Sequence, residues 1–336
     1  ALLVFTFAQG KFYLLFSFLF GYSASFILRD NSTPHRRRYL RRLLALFLFG
    51  LAHAVFFFVG DILITYAIFG LLLLAVSRTS DRTLRRWVFA AFAVGVVFIL
   101  IISTLNAAFP DESSGLEGLD SAMATGSFAE ASLARLEALP LVLAIIIFLQ
   151  GPMAFAAFAL GLMASRRRLL ADPEAHVTLW RRLAIWGWGI GLPLQLIAGV
   201  LQTNDIASDS SGPFAGAAGT ALGFISAPIL TAGYIGSIAL AIAIKPRFLA
   251  IMAPAGRMSL TVYIGESALL SIIFAAYGLG YFGQWGALQV VLTSIASWAI
   301  LSIFALLWMR RFSQGPLEIV LAWMTGKTKT SIERAS

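Results

Sequence analysis

Residues 82–105 read RTLRRWVFAAFAVGVVFILIISTL, an arginine-rich start followed by an uncharged apolar run over 87–105. A helix that crosses the roughly 30 Å hydrocarbon core of a bilayer needs about 20 such residues. In hydrocarbon, every backbone N–H and C=O must find a partner within its own segment, so the run predicts a transmembrane helix. Arginines beside such a run are typical of its cytoplasmic end.

The rest of the chain repeats this pattern. Apolar residues make up 59% of the 336 and charged residues only 12%, about half the charge of a soluble domain, so lipid is the solvent that fits. The predicted spans are 12–28, 40–59, 62–77, 87–105, 139–164, 183–201, 217–244, 256–277 and 286–309. We therefore predict an all-α polytopic transmembrane helix bundle over 1–311 with about nine spans, followed by a cytoplasmic interfacial helix and tail over 312–336.

The connections between spans alternate in charge. The basic connections are 29–42, 78–86, 165–182, 245–247 and the segment after 309. The acidic connections are 106–138, read as a loop with a short interfacial helix in its second half, and 202–216. Basic connections face the cytoplasm, so the C-terminus is predicted to be cytoplasmic and Ala1 to lie outside. A start outside predicts one earlier spanning helix, about ten in all.

Several chemistries find no support in the sequence. The chain has no Cys and only three His, which excludes thiolate sites and disfavours a metal centre. A net charge of +9 suggests nucleic acid, but the arginines sit between apolar runs and are explained as membrane anchors. Gly-rich phosphate loops and hydrolase motifs are missing. We predict neither a nucleic-acid partner nor a metal site.

His53 and Asp61 are the first candidate catalytic residues. His53 lies inside the second span, where an ionisable side chain costs about 2.5–3.5 kcal/mol and needs a reason. It is interpreted either as a general base or as a helix–helix hydrogen bond. Asp61, at the tip of the hairpin, either caps the third helix or orients His53. A direct contact requires the hairpin to fold back, because the residues are eight positions apart.

Glu266 lies near the middle of the eighth span and shares one helix face with Ser259 and Tyr263. Arg257 stands at the cytoplasmic end of that helix. One interpretation is a polar stripe that binds an anionic donor at Arg257. The other is a membrane anchor at Arg257 and a protonated carboxyl, bonded to a neighbour, at Glu266.

Three prolines near mid-depth, Pro152, Pro193 and Pro228, predict kinks in their spans, and Gln150 and Gln195 lie close to the first two. The kinks and these two glutamines either wall a central cavity or are ordinary packing features. The stripe Ser17, Gly21 and Ser25 predicts a close helix–helix contact. Lys11 is predicted to snorkel at the outer membrane surface.

Three stretches resemble a known family. Residues 11–21 read KFYLLFSFLFG; within 41–67 stand RRLL, FGLAHA, GDIL and YA; GRMSLTVY at 256–263 is followed by RRF at 310–312 and GPLE at 315–318. In this order, over most of the chain, they resemble domain-of-unknown-function family 418, the YeiB-like bacterial inner-membrane proteins. The chain departs from the family in lacking a first helix with an Arg-Gly signature. It also has Glu266-Ser267 where Gln-Ser is usual.

That family is similar to the transmembrane acyltransferase superfamily, whose members move acyl groups from cytoplasmic donors to extracytoplasmic acceptors. The resemblance implies a multi-pass protein of the bacterial cytoplasmic (inner) membrane, in contact with membrane lipids. It also implies acyl-CoA as a donor substrate, with no tightly bound cofactor, and a cell-envelope glycan or lipid as acceptor. The predicted catalytic residues are His53, Asp61 and Glu266, and the predicted substrate-binding residues are Arg257, Ser259, Tyr263, Gln150 and Gln195.

Two other functions stay open. A proton-coupled transporter or permease of a small solute would use His53 and Glu266 as proton relays, although the internal repeat common in transporters is not visible. A scaffold for other envelope proteins finds no positive support in the residues.

Overall fold

The computed structural model describes residues 1–28, 32–109, 115–207, 213–244 and 252–326, with backbone only at 204–207 and 213. Over these residues the regular structure is helical, as predicted. The α-helices are α1 (Leu2–Phe7), α2 (Phe12–Ile27), α3 (Thr33–Phe56), α4 (Leu63–Val76), α5 (Asp81–Ala108), α6 (Glu117–Thr125), α7 (Phe128–Leu149), α8 (Gly151–Arg166), α9 (Val177–Trp186), α10 (Leu192–Ala207), α11 (Pro213–Ile244), α12 (Ala253–Arg257), α13 (Ser259–Phe274), α14 (Ala287–Trp308) and α15 (Pro316–Met324). A 3₁₀ turn covers Glu174–His176 and a π-helical turn covers Gly187–Gly191.

Seven helical stretches of the described chain are long and apolar enough to cross a membrane. They are Leu2–Ile27, Thr33–Phe56, Asp81–Ala108, Phe128–Leu149, Glu174–Thr203, Phe214–Ile244 and Ala287–Trp308. Two shorter apolar helices, α4 and α13, coincide with the predicted third and eighth spans. This many apolar helices indicates a polytopic membrane protein.

The connection predicted as a loop over 106–138 is largely helical. α5 continues to Ala108, α6 follows, and α7 begins at Phe128 rather than near 139. A capping box explains the early start of α7: Ser127 donates its backbone N–H to the Glu130 carboxylate at 2.7 Å, and the Glu130 N–H returns a bond to Ser127 Oγ at 3.3 Å. Ser-x-x-Glu is a signal for a helix start that the hydropathy pattern overlooks.

The predicted span 139–164 consists of two consecutive helices. α7 ends at Leu149 and α8 begins at Gly151, with the single residue Gln150 between them. Pro152 accounts for the break, because proline has no N–H to donate and its ring clashes with the carbonyl four residues earlier.

Some predicted features lie outside the described residues. They are Arg29, the acidic residues Asp111, Glu112 and Asp209, the basic turn 245–247 and the end of the tail, 327–336.

The chain forms two compact units. The first unit contains Ala1–Asn31, Phe69–Glu112 and Ile147–Phe248, and the second unit contains Ser32–Ile68, Ser113–Ile146 and Leu249–Ser336.

Helix α8 forms the core of the first unit, where 13 of its 16 residues are buried. α2 packs directly on it, and Gly21 meets the backbone of Phe158 with no room for a side chain. Ser17 is fully buried, and the hydroxyls of Ser25 and Ser165 share a hydrogen bond between the two helices. The predicted small-residue contact of α2 is therefore confirmed.

The second unit contains a tight hairpin of α3 and the start of α4. Ala54 of α3 and Ile64 of α4 are buried together with Leu139 of α7. The hairpin was predicted from the polar turn between two apolar runs. It places the first candidate site in the second unit.

Candidate functional site

His53 and Asp61 form a buried hydrogen-bonded pair in the second unit. His53 lies in the last turn of α3, and Asp61 lies in the short connection to α4. Nδ1 of His53 is 2.8 Å from Oδ1 of Asp61, and both side chains are fully buried. The connection therefore folds back, as the sequence required for a direct contact.

The carboxylate of Asp61 is fixed from two further directions. Its Oδ2 accepts the backbone N–H of Ile64 at 2.8 Å, which caps the start of α4. Its Oδ1 also accepts the hydroxyl of Tyr263 at 3.2 Å. Asp61 thus satisfies both interpretations offered by the sequence, since one oxygen caps a helix while the other holds His53. It accepts three hydrogen bonds, as an ionised carboxylate can.

The second ring nitrogen of His53, Nε2, lies in a different environment from Nδ1. Because a carboxylate only accepts, we assign the Nδ1 proton to the bond with Asp61, which leaves the lone pair on Nε2. Nε2 is buried and has no hydrogen-bond partner among the described residues. The ring lies 4.8 Å from the ring of Tyr263 and 6.4 Å from that of Phe58, centroid to centroid. An unsatisfied buried acceptor costs about 1–3 kcal/mol, so Nε2 is suited to receive a ligand hydroxyl.

The polar stripe predicted on α13 is only partly joined to this pair. Tyr263 contacts Asp61, whereas Glu266, half-buried one turn further on, has no hydrogen-bond partner within the described part of the chain. Ser259 is exposed at the start of the helix. Arg257 is exposed too, and it donates to the backbone carbonyl of Ser313 at 2.9 Å. Tyr263 was predicted to bind substrate, and here its hydroxyl positions Asp61.

Gln195 belongs to a buried polar cluster of the first unit. Its Oε1 accepts Lys11 Nζ at 2.6 Å, and its amide donates to the Gly223 carbonyl at 2.6 Å and to Ser226 Oγ at 2.9 Å. Lys11 is only 1% exposed, so the prediction that it snorkels to the surface is wrong. The helix at Leu2–Phe7 accounts for this, because it places Lys11 between two helical segments rather than at the end of the first.

The two predicted glutamines lie in different surroundings. Gln195 is fully buried in the cluster just described, whereas Gln150 is half-buried at the break between α7 and α8.

Arg135 is a functional candidate that the sequence did not single out. Its side chain is 1% exposed in the second unit and pairs with no carboxylate among the described residues. It donates to the Phe56 carbonyl at 3.2 Å, to Tyr277 OH at 3.2 Å and to Ser271 Oγ at 3.3 Å. Positive charge is favourable at Phe56, where α3 ends one turn after His53. The sequence signal that could have identified Arg135 is its position in 106–138, a segment that is otherwise acidic.

Two of the motif segments meet at the start of α13. Glu318 of α15 accepts the backbone N–H groups of Leu260 and Thr261 at 2.8 and 3.1 Å, and the Thr261 hydroxyl at 2.5 Å. Thr261 Oγ1 in turn accepts the Leu317 N–H at 3.1 Å. The carboxylate therefore caps α13 and attaches α15 to it. This contact joins the segments that carry GRMSLTVY and GPLE.

Among the described residues, no group of three His, Asp or Glu side chains lies close enough together to hold a metal ion. The apolar helices indicate a polytopic helical membrane protein, and its second unit holds a buried hydrogen-bonded His–Asp pair.

Residues 164–328 match the family described as "Protein of unknown function (DUF418)". This match confirms, over that segment, the resemblance to the family that the sequence indicated.

Relatives extend the similarity over nearly the whole chain. The uncharacterized protein YxaH of Bacillus subtilis (strain 168) is 28% identical over 357 residues, covering 97% of this chain and 83% of its own. The uncharacterized protein YeiB of Escherichia coli (strain K12) is 27% identical over 340 residues, covering 92% of this chain and 80% of its own. No solved structure matches significantly.

Proposed function

We propose that this protein is an integral-membrane O-acyltransferase of the bacterial cytoplasmic (inner) membrane. It would move an acyl group from a cytoplasmic thioester, such as acyl-CoA, to a hydroxyl of an extracytoplasmic glycan or lipid. The observation that carries the proposal is His53, whose Nδ1 is held by Asp61 while the buried Nε2 has no hydrogen-bond partner in the described part of the chain. The resemblance to the transmembrane acyltransferases, noted from the sequence, supports the same reaction class.

Acyl transfer needs a base that removes the proton of the attacking hydroxyl. Nε2 of His53 takes the proton of the acceptor hydroxyl while its oxygen attacks the carbonyl carbon of the thioester. The tetrahedral intermediate collapses, the carbon–sulfur bond breaks, and the departing thiolate receives that proton from His53. An ester and a free thiol result. Asp61 stabilises the imidazolium that forms between the two transfers.

Charge supports a cytoplasmic donor. The connections that carry the arginines are those that the positive-inside rule assigns to the cytoplasm, together with the C-terminus. Arg257, exposed at the end of α12, has the charge to attract an anionic donor. Glu266 lies on α13 with Tyr263, and we propose it as a further catalytic residue, near the acceptor.

The test is transfer of label from radiolabelled acetyl-CoA or palmitoyl-CoA into the lipid and glycan fractions of membrane vesicles containing the protein. His53→Asn keeps an N–H for Asp61 but has no basic nitrogen, so transfer should fall by about 10²–10⁴-fold. His176→Asn is the matched control, since His176 lies in the 3₁₀ turn Glu174–His176 and should leave transfer unchanged. Product no higher than in vesicles lacking the protein, or equal product with His53→Asn, would overturn the proposal.

Proton-coupled transport of a small solute is the second candidate. Lys11 in the first unit and Arg135 in the second are both buried, and their hydrogen-bond partners among the described residues are neutral. Ionisable groups in such places are typical of ion pathways. Proteoliposomes containing a pH-sensitive dye would distinguish the two functions. A pH change driven by an added solute, and lost in Glu266→Gln, would favour transport.

A further inference from the structure

The first unit contains a partly open apolar cavity that the proposed reaction does not use. Its volume is about 480 Å³, within the 300–1,000 Å³ typical of ligand sites. Five helices contribute to its wall: α2, α5, α8, α9 and α11. Pro228, one of the predicted kinks, lines it, whereas Gln150 and Gln195 do not.

The cavity extends along α8. Its wall follows that helix from Met153 to Ala164, about 16 Å at 1.5 Å per residue. That is about half the 30 Å thickness of a hydrocarbon core, the length available to a lipid chain in one leaflet.

The charged group of the lining lies at one end of the cavity. Most of the lining residues are apolar; the exceptions are Arg167, Thr231 and Trp180. The hydroxyl of Thr231 is already used, since it donates to the Ala227 carbonyl at 2.8 Å. Arg167, just after α8, is therefore the charged group available to a ligand whose apolar part fills the cavity.

Charge at this end favours an anion. Arg166 and Arg167 both pair with Asp81, at 2.9 and 3.3 Å, so two cations share one carboxylate and one positive charge remains. The Arg167 side chain is 56% exposed, against 29% for Arg166, which leaves it accessible. Arg166 is further occupied by the carbonyls of Ser77 and Thr79.

We propose that this cavity binds one acyl chain of an anionic membrane phospholipid, with its phosphate at Arg167. A lipid chain leaves hydrocarbon for an equally apolar wall, so the cavity accepts the chain without loss and the charge of Arg167 supplies the preference for an anionic lipid. The head group lies at the end of α8 that carries the arginine-rich connection 165–182, where anionic lipids of the cytoplasmic leaflet are drawn. The site lies wholly within the first unit and is independent of the proposed acyl transfer.

The experiment uses the full chain in nanodiscs with phosphatidylglycerol or phosphatidylcholine that carries a photoreactive diazirine near the chain end. Phosphatidylglycerol should label peptides around Met153 and Pro228. In Arg167→Gln this labelling should fall about five-fold, to the phosphatidylcholine level, as expected for loss of one arginine–head-group contact. Arg168→Gln removes the same charge one residue away, outside the lining, and should label like the wild type.

A second variant separates filling of the cavity from unfolding. Leu160 lines the cavity and is 45% exposed, so Leu160→Trp can occupy the space without disturbing the core. It should abolish labelling near Met153, whereas Leu105→Trp, at an exposed leucine of α5 outside the cavity, should not. Equal labelling by both lipids, or labelling spread evenly over exposed apolar residues, would overturn the proposal. Displacement by palmitoyl-CoA but not by excess phosphatidylglycerol would also overturn it and assign the cavity to a thioester.

Discussion

Gly50 and Asp61 approach so closely that a Cβ atom on Gly50 would stand 2.5 Å from Oδ2 of Asp61. The same atom would stand 2.8 Å from the backbone nitrogen of Ile64. Glycine inside a helix costs about 0.5–1 kcal/mol relative to alanine, so here it serves packing rather than helix formation. The α3–α4 connection can reach His53 because position 50 has no side chain.

Gly50→Ala should therefore destabilise the protein by about 1–3 kcal/mol, the usual cost of overpacking against backbone that cannot move aside. The apparent midpoint of thermal unfolding in detergent micelles measures it. Gly118→Ala is the control, because a Cβ on Gly118 of α6 would meet no atom of the described residues within 4 Å. It should be neutral or slightly stabilising. If Gly50→Ala unfolds at the same temperature as Gly118→Ala or at a higher one, the close approach of Asp61 does not restrict the side chain at position 50.

Asp61→Asn should reduce acyl transfer far more than Tyr263→Phe. The amide of Asn can donate as well as accept, so it no longer holds the Nδ1 proton of His53 in place and no longer stabilises the imidazolium. We expect a loss on the order of 10²–10⁴-fold. Tyr263→Phe removes one hydrogen bond to Asp61, worth about 0.5–1.5 kcal/mol, or at most roughly ten-fold. Initial rates of label transfer measure both. The reverse order would show that Tyr263, not the His–Asp pair, governs the reaction.

Hydropathy predicted the helices well because a bilayer imposes length and apolarity on each span separately. It placed the ends less well. The start of α7 depends on the Ser127–Glu130 capping box, and the break at Gln150 depends on Pro152, and both are local hydrogen-bonding effects that a count of apolar residues does not register.

The site was predictable only where its residues are close in sequence. His53 and Asp61 are eight positions apart on one hairpin, so their contact followed from the turn. Tyr263 reaches Asp61 across 202 positions, and Lys11 reaches Gln195 across 184. Such pairs depend on tertiary packing, which periodicity does not encode. Arg135 was missed for the same reason, since its acceptors come from three other elements of the second unit.

Glu318→Gln should loosen the attachment of α15 to α13. The carboxylate caps the N-terminus of α13 through Leu260 and Thr261, and a neutral amide loses both the charge–dipole attraction and an acceptor oxygen. We expect about 1–2 kcal/mol of destabilisation. Thermal unfolding and the rate of proteolysis within α15 measure it. Glu137→Gln, at an exposed glutamate, is the matched control, and equal behaviour of the two variants would show that the cap contributes nothing.

Membrane orientation can be tested cleanly because the chain has no cysteine, so every single-cysteine variant has a silent background. Gly118→Cys places a thiol in the acidic segment 106–138, and Ala171→Cys places one in the basic segment 165–182, both at exposed positions. The positive-inside rule predicts that a membrane-impermeant maleimide labels position 118 in cells with a permeabilised outer membrane. Position 171 should react only after the inner membrane is lysed.

The labelling pattern also bears on the reaction, because a cytoplasmic donor requires the arginine-rich connections on the inner side. The unmodified chain controls for background, and an internal cytoplasmic enzyme released only on lysis controls for membrane integrity. Labelling of position 171 before lysis, with position 118 protected, would reverse the orientation. In that case Arg257, which follows the same alternation, would face outward. It could not then receive acyl-CoA from the cytoplasm, whatever His53 and Asp61 do.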